Sequence, residues 1–102
     1  FYDFHLYSDS GRIPSPSAVR LLPMRTGRPL VLGEFGQEAT AIDDDLQARV
    51  TASFLRSARE LGLAAAIAWR LSDLSGAERR MKTLSFERTD GSLRPAYRTF
   101  SR

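Results

Sequence analysis

Glu34 is the residue of this sequence that most suggests chemistry, because it ends the apolar run Pro29–Leu32 and stands between Gly33 and Gly36. Glycines allow close approach of other groups and unusual backbone dihedrals, as a carboxylate directed into a cleft requires. A carboxylate in that position can act as a nucleophile or as a general acid or base. The alternative interpretation is a solvated glutamate that caps the next element.

His5 and Tyr7 form a second candidate pair. They are two residues apart in an aromatic-rich segment, so they share one face if that segment is a strand. A phenol beside a carboxylate can fix its orientation and keep it ionised, and an imidazole can bind a hydroxyl-rich ligand. The alternative is an ordinary strand end with its polar groups satisfied.

Trp69, the only tryptophan, ends the apolar segment 64–69. Its indole offers a flat apolar surface and one hydrogen-bond donor, which suits stacking on a sugar ring. The alternative is a tryptophan buried in the core of a small domain.

These residues require three strands to position them, and the sequence predicts strands at residues 1–7, 29–33 and 64–69. Because parallel strands place their C-terminal ends at the same edge, the candidate side chains would meet there. A helix is predicted between the second and third strands, since apolar side chains recur at spacings of four, four, four and three. Those side chains belong to Leu46, Val50, Phe54, Ala58 and Leu61. Asp43 to Asp45 offer capping oxygens before this stripe, and Gly62 after it is predicted to stop the helix. The fold class is therefore α/β, with about three β/α units and parallel strands.

The remaining segments give weaker patterns. Residues 17–22 predict a short helix that Pro23 stops, and Pro95 predicts the first turn of a last helix. Leu84 and Phe86 alternate with polar neighbours, which favours a short extended segment.

Composition limits the classes of partner. The 102 residues suffice for one domain, spanning 1–102, with 42% hydrophobic and 26% charged residues and a net charge of +3. The one tight basic cluster, residues 79–82, lacks interleaved aromatic side chains, so no nucleic-acid partner is predicted. The longest apolar run, residues 61–69, is too short to cross a bilayer, so no membrane partner is predicted. Cysteine is absent, so disulfides do not stabilise the fold.

Four segments in order carry a resemblance to a known family: Asp3-x-His5-x-Tyr7, Gly33-Glu34-Phe35-Gly36, the strand ending in Trp69, and the stretch 90–97 (DGSLRPAY). Together they resemble strands six to eight and the last helix of a clan A glycoside hydrolase of the family 5 cellulase and mannanase type. The resemblance covers nearly the whole chain. It implies part of a (β/α)8 TIM barrel that hydrolyses a β-linked glucan or mannan with retention of configuration.

The resemblance also implies roles. Glu34 matches the nucleophile at the end of strand seven, and Tyr7 matches the tyrosine that hydrogen-bonds it. His5 matches a histidine lining the cleavage subsite, and Trp69 matches the aromatic platform of strand eight. Other loop residues on that face that can contact substrate are Gln37, Glu38, Arg70 and Asp73. No metal or organic cofactor is implied, the partner is an oligo- or polysaccharide, and enzymes of this kind are usually extracellular or periplasmic.

One part of the family pattern is missing. The family's acid/base is a glutamate that follows an asparagine at the end of strand four, whereas this chain contains no asparagine. We therefore expect a C-terminal barrel fragment that is inactive alone. Its sheet edges would need the missing N-terminal barrel segment or self-association to cover them. Two alternatives stay open: a non-catalytic carbohydrate-binding remnant that uses the Trp69 face, and an unrelated three-stranded α/β domain.

Overall fold

The chain alternates strands and helices, as predicted. In the computed structural model, residues 1–39, 43–73 and 83–101 are described. The elements are β1 (Tyr2–Tyr7), α1 (Pro16–Thr26), β2 (Leu30–Gly36), α2 (Asp44–Glu60), β3 (Ala65–Ala68) and α3 (Pro95–Phe100). The three strands form one parallel sheet in the order β1-β2-β3, which confirms the α/β class. The basic cluster 79–82 lies outside the described residues.

Helix α2 has well-formed ends. The Asp43 side chain accepts a hydrogen bond of 2.7 Å from the Leu46 N–H, which satisfies one of the free donors of the first turn. At the other end, Gly62 adopts the left-handed conformation, with φ of 69°. Its N–H donates to the Arg59 carbonyl, and the next N–H, of Leu63, donates to that of Ala58. These two bonds form a Schellman motif, which confirms the predicted glycine stop.

The core lies between β2 and α2. Leu32, Phe35 and Phe54 are fully buried, and the two phenylalanine ring centroids are 5.1 Å apart. Helix α3 packs against this core, because the ring centroid of Phe100 lies 6.4 Å from that of Phe35. The apolar stripe of α2 therefore faces the sheet, as its spacing predicts.

A β-bulge in β2 was not predicted. Leu32 and Phe35 are three residues apart, so a regular strand would place them on opposite faces, yet both face the core. The pairing with β1 explains this, because it passes from Leu32 to Glu34 and leaves Gly33 as the extra residue. Strand β2 consequently continues to Gly36 instead of ending at residue 33. The bulge also turns Glu34 to the face opposite the core.

Helix α1 corrects a second expectation, since it runs through Pro23 and ends at Thr26. The last turn is stabilised despite the missing proline N–H. The Gly27 N–H donates to the Pro23 carbonyl at 2.8 Å, and the Thr26 hydroxyl donates to the Leu22 carbonyl at 2.8 Å. None of the side chains of α1 is buried.

The segment around Leu84 and Phe86, whose pattern allows a short extended stretch, forms no named strand; Glu87 makes isolated bridges to Ser72 and Leu93. A buried side chain of α2 packs against this segment. Gln47 Nε2 lies 3.0–3.2 Å from the carbonyls of Gln37, Thr83, Leu84 and Ser85, so helix and loop are joined through these carbonyls. No helix in the described ranges is long and apolar enough to cross a membrane.

Candidate active site

The C-terminal ends of β1 and β2 bring three candidate side chains together. The Tyr7 hydroxyl donates a hydrogen bond of 2.8 Å to Glu34 Oε2. His5 Nδ1 lies 3.3 Å from the same oxygen. His5 pairs directly with Glu34 across the two strands, so the bulge that turns Glu34 away from the core is what completes the cluster. The site thus joins a carboxylate, a phenol and an imidazole.

Tyr7 is held in its neutral, donating form. Burial raises its pKa well above the ordinary value, and the hydrogen bond to Glu34 and the negative charge of that carboxylate raise the pKa further. A tyrosine that keeps its proton can donate to a carboxylate throughout the neutral range. Tyr7 is therefore suited to orient Glu34 through this hydrogen bond.

Asp3 is a member of the cluster to which sequence reasoning gave no role. Its Oδ2 atom lies 3.3 Å from His5 Nε2, on the other side of the imidazole from Glu34. The signal that could have found it is the alternation of β1, because Asp3, His5 and Tyr7 are each two residues apart and share a face. About half of the Asp3 side chain is exposed.

Gly36 brings the ends of β2 and β3 close together. A Cβ atom there would lie 2.8 Å from the Trp69 carbonyl oxygen and 3.2 Å from Tyr7 Cε1. Only a glycine allows this approach. Its φ is not in the left-handed region, so the lack of room for a side chain is the reason that position 36 requires glycine. The close packing sets Tyr7 beside the backbone of Trp69.

Trp69 continues the sheet at this edge but is not core. Its N–H donates to the Phe35 carbonyl at 2.8 Å, and the residue is 37% exposed. The peptide bond between Trp69 and Arg70 is cis. The interpretation of Trp69 as a buried core residue is therefore wrong, and its indole is accessible for contact with a ligand.

Two of the other loop residues are structural. The Asp73 side chain is only 6% exposed, and its carboxylate accepts a hydrogen bond of 2.9 Å from Arg94. It holds the loop after β3 against the segment that precedes α3, so it is not placed to contact a substrate. With its side-chain amide nitrogen facing the loop after β1, Gln37 donates to the Ser8 carbonyl at 3.1 Å.

Arg94 is the buried charge that sequence reasoning missed. Besides Asp73, it lies 3.5 Å from Asp44 at the start of α2, and Arg88 contacts the same aspartate. A buried guanidinium needs such paired carboxylates to offset its lost hydration. These pairs fix the loops on the side of the sheet where β2 and β3 end.

Comparison with known proteins gives the fold but no family: no protein-family model matches the chain, and no curated protein matches. Solved structures do match. A GH5_18 variant from Streptomyces cattleya, in complex with Manβ1-4GlcNAc, aligns with a TM-score of 0.64 and 17% identity over 92% of this chain. A GH5_18 variant from Bifidobacterium longum, also in complex with Manβ1-4GlcNAc, aligns with a TM-score of 0.67 and 18% identity over 96% of this chain. The exo-β-1,4-mannosidase Op5Man5 from an Opitutaceae bacterium aligns with a TM-score of 0.65 and 18% identity over 96% of this chain.

The chain spans only about a quarter of these proteins, covering 25%, 28% and 21% of their lengths. Its three β/α units have the fold of part of a glycoside hydrolase TIM barrel. The identities are too low to carry more than the fold. This match confirms the prediction of a partial TIM barrel.

Proposed function

We propose that this chain is the C-terminal part, strands six to eight, of the catalytic barrel of a retaining β-glycosidase of the family 5 type. The observation that carries the proposal is the hydrogen bond from Tyr7 to Glu34 at the C-terminal ends of β1 and β2. The active sites of TIM barrels lie at that end of their strands. The resemblance of the four sequence segments and the shared fold support the same assignment.

Glu34 is the proposed nucleophile. One of its carboxylate oxygens forms a bond to the anomeric carbon while the glycosidic C–O bond breaks, and the leaving oxygen takes a proton from an acid/base residue. Water then hydrolyses the glycosyl-enzyme ester. Tyr7 orients the attacking carboxylate through its hydrogen bond.

The acid/base is proposed to lie outside this chain. Retaining enzymes hold their two carboxyl groups about 5 Å apart. Asp3 is the second carboxylate of the cluster, but the His5 ring lies between it and Glu34. A barrel segment that carries the acid/base would complete the machinery, so the isolated chain is expected to be inactive.

The proposed substrate is a β-linked glucan or mannan. Two of the similar structures hold Manβ1-4GlcNAc, and the third protein is named an exo-β-1,4-mannosidase, which favours β-linked mannosides. Trp69 is proposed to stack on a sugar ring, and His5 to bind a sugar hydroxyl. Both are accessible at the open face of the sheet.

The first test replaces Glu34 in the full-length protein that carries this chain. Glu34→Gln keeps the size of the side chain but removes the nucleophilic carboxylate. Hydrolysis of β-1,4-linked manno- and cello-oligosaccharides should fall by at least about 1,000-fold while their binding persists. Glu60→Gln is the matched control, because that exposed glutamate ends α2. Turnover retained by Glu34→Gln would refute the assignment.

The exposure of Trp69 also supports a second candidate, a carbohydrate-binding remnant without catalysis. Titration of the chain with the same oligosaccharides, followed by the fluorescence of its single tryptophan, separates the two candidates. Saturable binding together with a full-length protein that does not hydrolyse the sugars favours the remnant. Hydrolysis by the full-length protein that depends on Glu34 favours the enzyme.

The edges of the sheet bear on the same proposal. β1 and β3 lie at the two edges, where unpaired backbone groups can pair with further strands. We propose that the N-terminal barrel segment covers them in the full-length protein, or that the chain alone self-associates. A compact monomer of the chain by analytical ultracentrifugation would contradict this.

A further inference from the structure

The imidazole of His5 lies between two carboxylates. Its Nδ1 atom is 3.3 Å from Glu34, and its Nε2 atom is 3.3 Å from Asp3. The ring therefore links the proposed nucleophile on β2 to a second carboxylate on β1, two residues before His5. A ring held by only one of its nitrogens can turn about its last side-chain torsion, whereas a protonated imidazole, which donates from both nitrogens, is fixed by a carboxylate at each.

Room for this arrangement comes from the bulge. A Cβ atom at Gly33 would lie 2.7 Å from Asp3 Oδ2 and 3.3 Å from His5 Cδ2. The extra residue of β2 is thus a glycine at the place where Asp3 and His5 pack against the neighbouring strand. The same bulge directs Glu34 towards His5. One local feature therefore positions both carboxylates that the imidazole contacts, Asp3 and Glu34.

Asp3 has a single ionic partner in the described part of the chain, and that partner is His5. Its half-exposed carboxylate takes no part in the buried ion pairs around Arg94. The His5 imidazole is thus a side chain that lies within 3.3 Å of both carboxylates, and it offers a direct route by which Asp3 can act on the proposed nucleophile.

We infer that Asp3 is a positioning residue, which holds the His5 ring so that Nδ1 stays on Glu34. This inference rests on the function proposed above. Asp3 does not touch the reacting atoms. It fixes the ring, and the ring, together with Tyr7, fixes the carboxylate that attacks the anomeric carbon.

A double-mutant cycle in the full-length protein tests the inference. Asp3→Ala should lower kcat by about 10- to 100-fold, because small misplacements of a reacting group have effects of that size, with a KM change below about threefold. In a His5→Ala background the same change should lower kcat by less than about twofold, because the imidazole that Asp3 positions is absent. Asp3→Asn keeps an acceptor oxygen and should retain more activity than Asp3→Ala. Equal effects of Asp3→Ala in both backgrounds would overturn the inference.

A spectroscopic measurement on the chain itself does not depend on hydrolysis. His5 is the only histidine, so its imidazole ¹⁵N signals are unambiguous. Asp3→Ala should move the Nε2 signal, whereas Asp45→Ala, which removes an exposed carboxylate at the start of α2, should leave it unchanged. Unmoved Nε2 signals in Asp3→Ala would overturn the inference. If Glu34→Gln retained turnover while the signal moved, the proposed function would fail and the contact of Asp3 with His5 would stand.

Discussion

The two faces of the sheet differ in both packing and chemistry. The face towards α2 contains Leu32 and Phe35, which are fully excluded from solvent against Phe54. The opposite face contains Tyr7, 46% exposed, and Ile67, 53% exposed. One face of the sheet is therefore complete within this chain, whereas the other presents polar and apolar side chains that nothing in the described residues covers.

Strand β2 contributes to both faces, with Leu32 and Phe35 in the core and Glu34 on the opposite face. A regular β2 could not place both Leu32 and Phe35 against α2, and the bulge at Gly33 resolves this conflict while it leaves Glu34 on the opposite face. Packing against α2 holds the strand, and the strand in turn holds the carboxylate. Changes on the packed face should thus act on folding, and changes on the open face should act on the site.

The largest effect is expected in the packed face. Phe35→Ala removes a fully buried ring between Phe54 and Phe100. It should lower the free energy of unfolding of the chain by about 3–5 kcal/mol, as measured by urea denaturation. Phe1→Ala is the matched control, since Phe1 is 77% exposed and should change that free energy by less than about 0.5 kcal/mol. Similar losses in both variants would show that the core is not where we place it.

The next effect concerns the junction of β2 and β3. Gly36→Ala places a Cβ atom 2.8 Å from the backbone carbonyl of Trp69, so the strand ends must shift. We expect a loss of about 1–3 kcal/mol in the free energy of unfolding and a changed Trp69 fluorescence. In the control, Gly33→Ala, the nearest atom is the movable end of the Asp3 side chain, so the loss should be smaller. A larger loss in the free energy of unfolding for Gly33→Ala than for Gly36→Ala would contradict the close backbone contact at Gly36.

A third prediction uses the proton of Tyr7. Because its pKa is raised, the folded chain keeps this proton above pH 10, where a tyrosine in the unfolded chain begins to lose it. The stabilisation is thus complete below about pH 10 and is lost as the pH rises further. Glu34→Gln removes the carboxylate, so the pKa of Tyr7 should fall towards its ordinary value, although burial should keep it above that value. Tyrosinate absorbance, with the Tyr7→Phe curve subtracted, measures the shift. Identical curves for the Glu34→Gln variant and the unchanged chain would contradict the contact.

The smallest effect in the chain alone is expected on the open face. Ile67→Ala should change the free energy of unfolding by less than about 0.5 kcal/mol, because the side chain is already half exposed. In the full-length protein the loss should rise to about 2 kcal/mol, if the rest of the barrel covers this face. An equally small loss in both proteins would indicate that the face stays open.

Local patterns were sufficient for the parts of the fold that depend on periodicity and caps. The stripe from Leu46 to Leu61 and the Asp43 and Gly62 ends predicted α2, and the strand ends predicted that Tyr7 and Glu34 would lie together. The roles of Glu34, Tyr7, His5 and Trp69 in catalysis or binding stay predictions.

Features that depend on distant partners were missed. The bulge at Gly33 arises because Leu32 and Phe35 must both face α2, which no alternation pattern in β2 reveals. The contact between the buried amide of Gln47 and the Leu84 carbonyl joins residues 37 apart in sequence, which no local pattern reveals. Asp73 looks like any loop carboxylate until its pairing with Arg94 is seen.

Trapping of the glycosyl intermediate tests the central claim most directly. The full-length protein would be incubated with a 2-deoxy-2-fluoro-β-mannosyl or β-glucosyl fluoride, digested, and sequenced by mass spectrometry. We predict one fluoroglycosyl group on Glu34 and none in the Glu34→Gln variant. A glycosyl group on a different residue, in a protein that hydrolyses β-mannosides or β-glucosides, would contradict the assignment of Glu34 as the nucleophile.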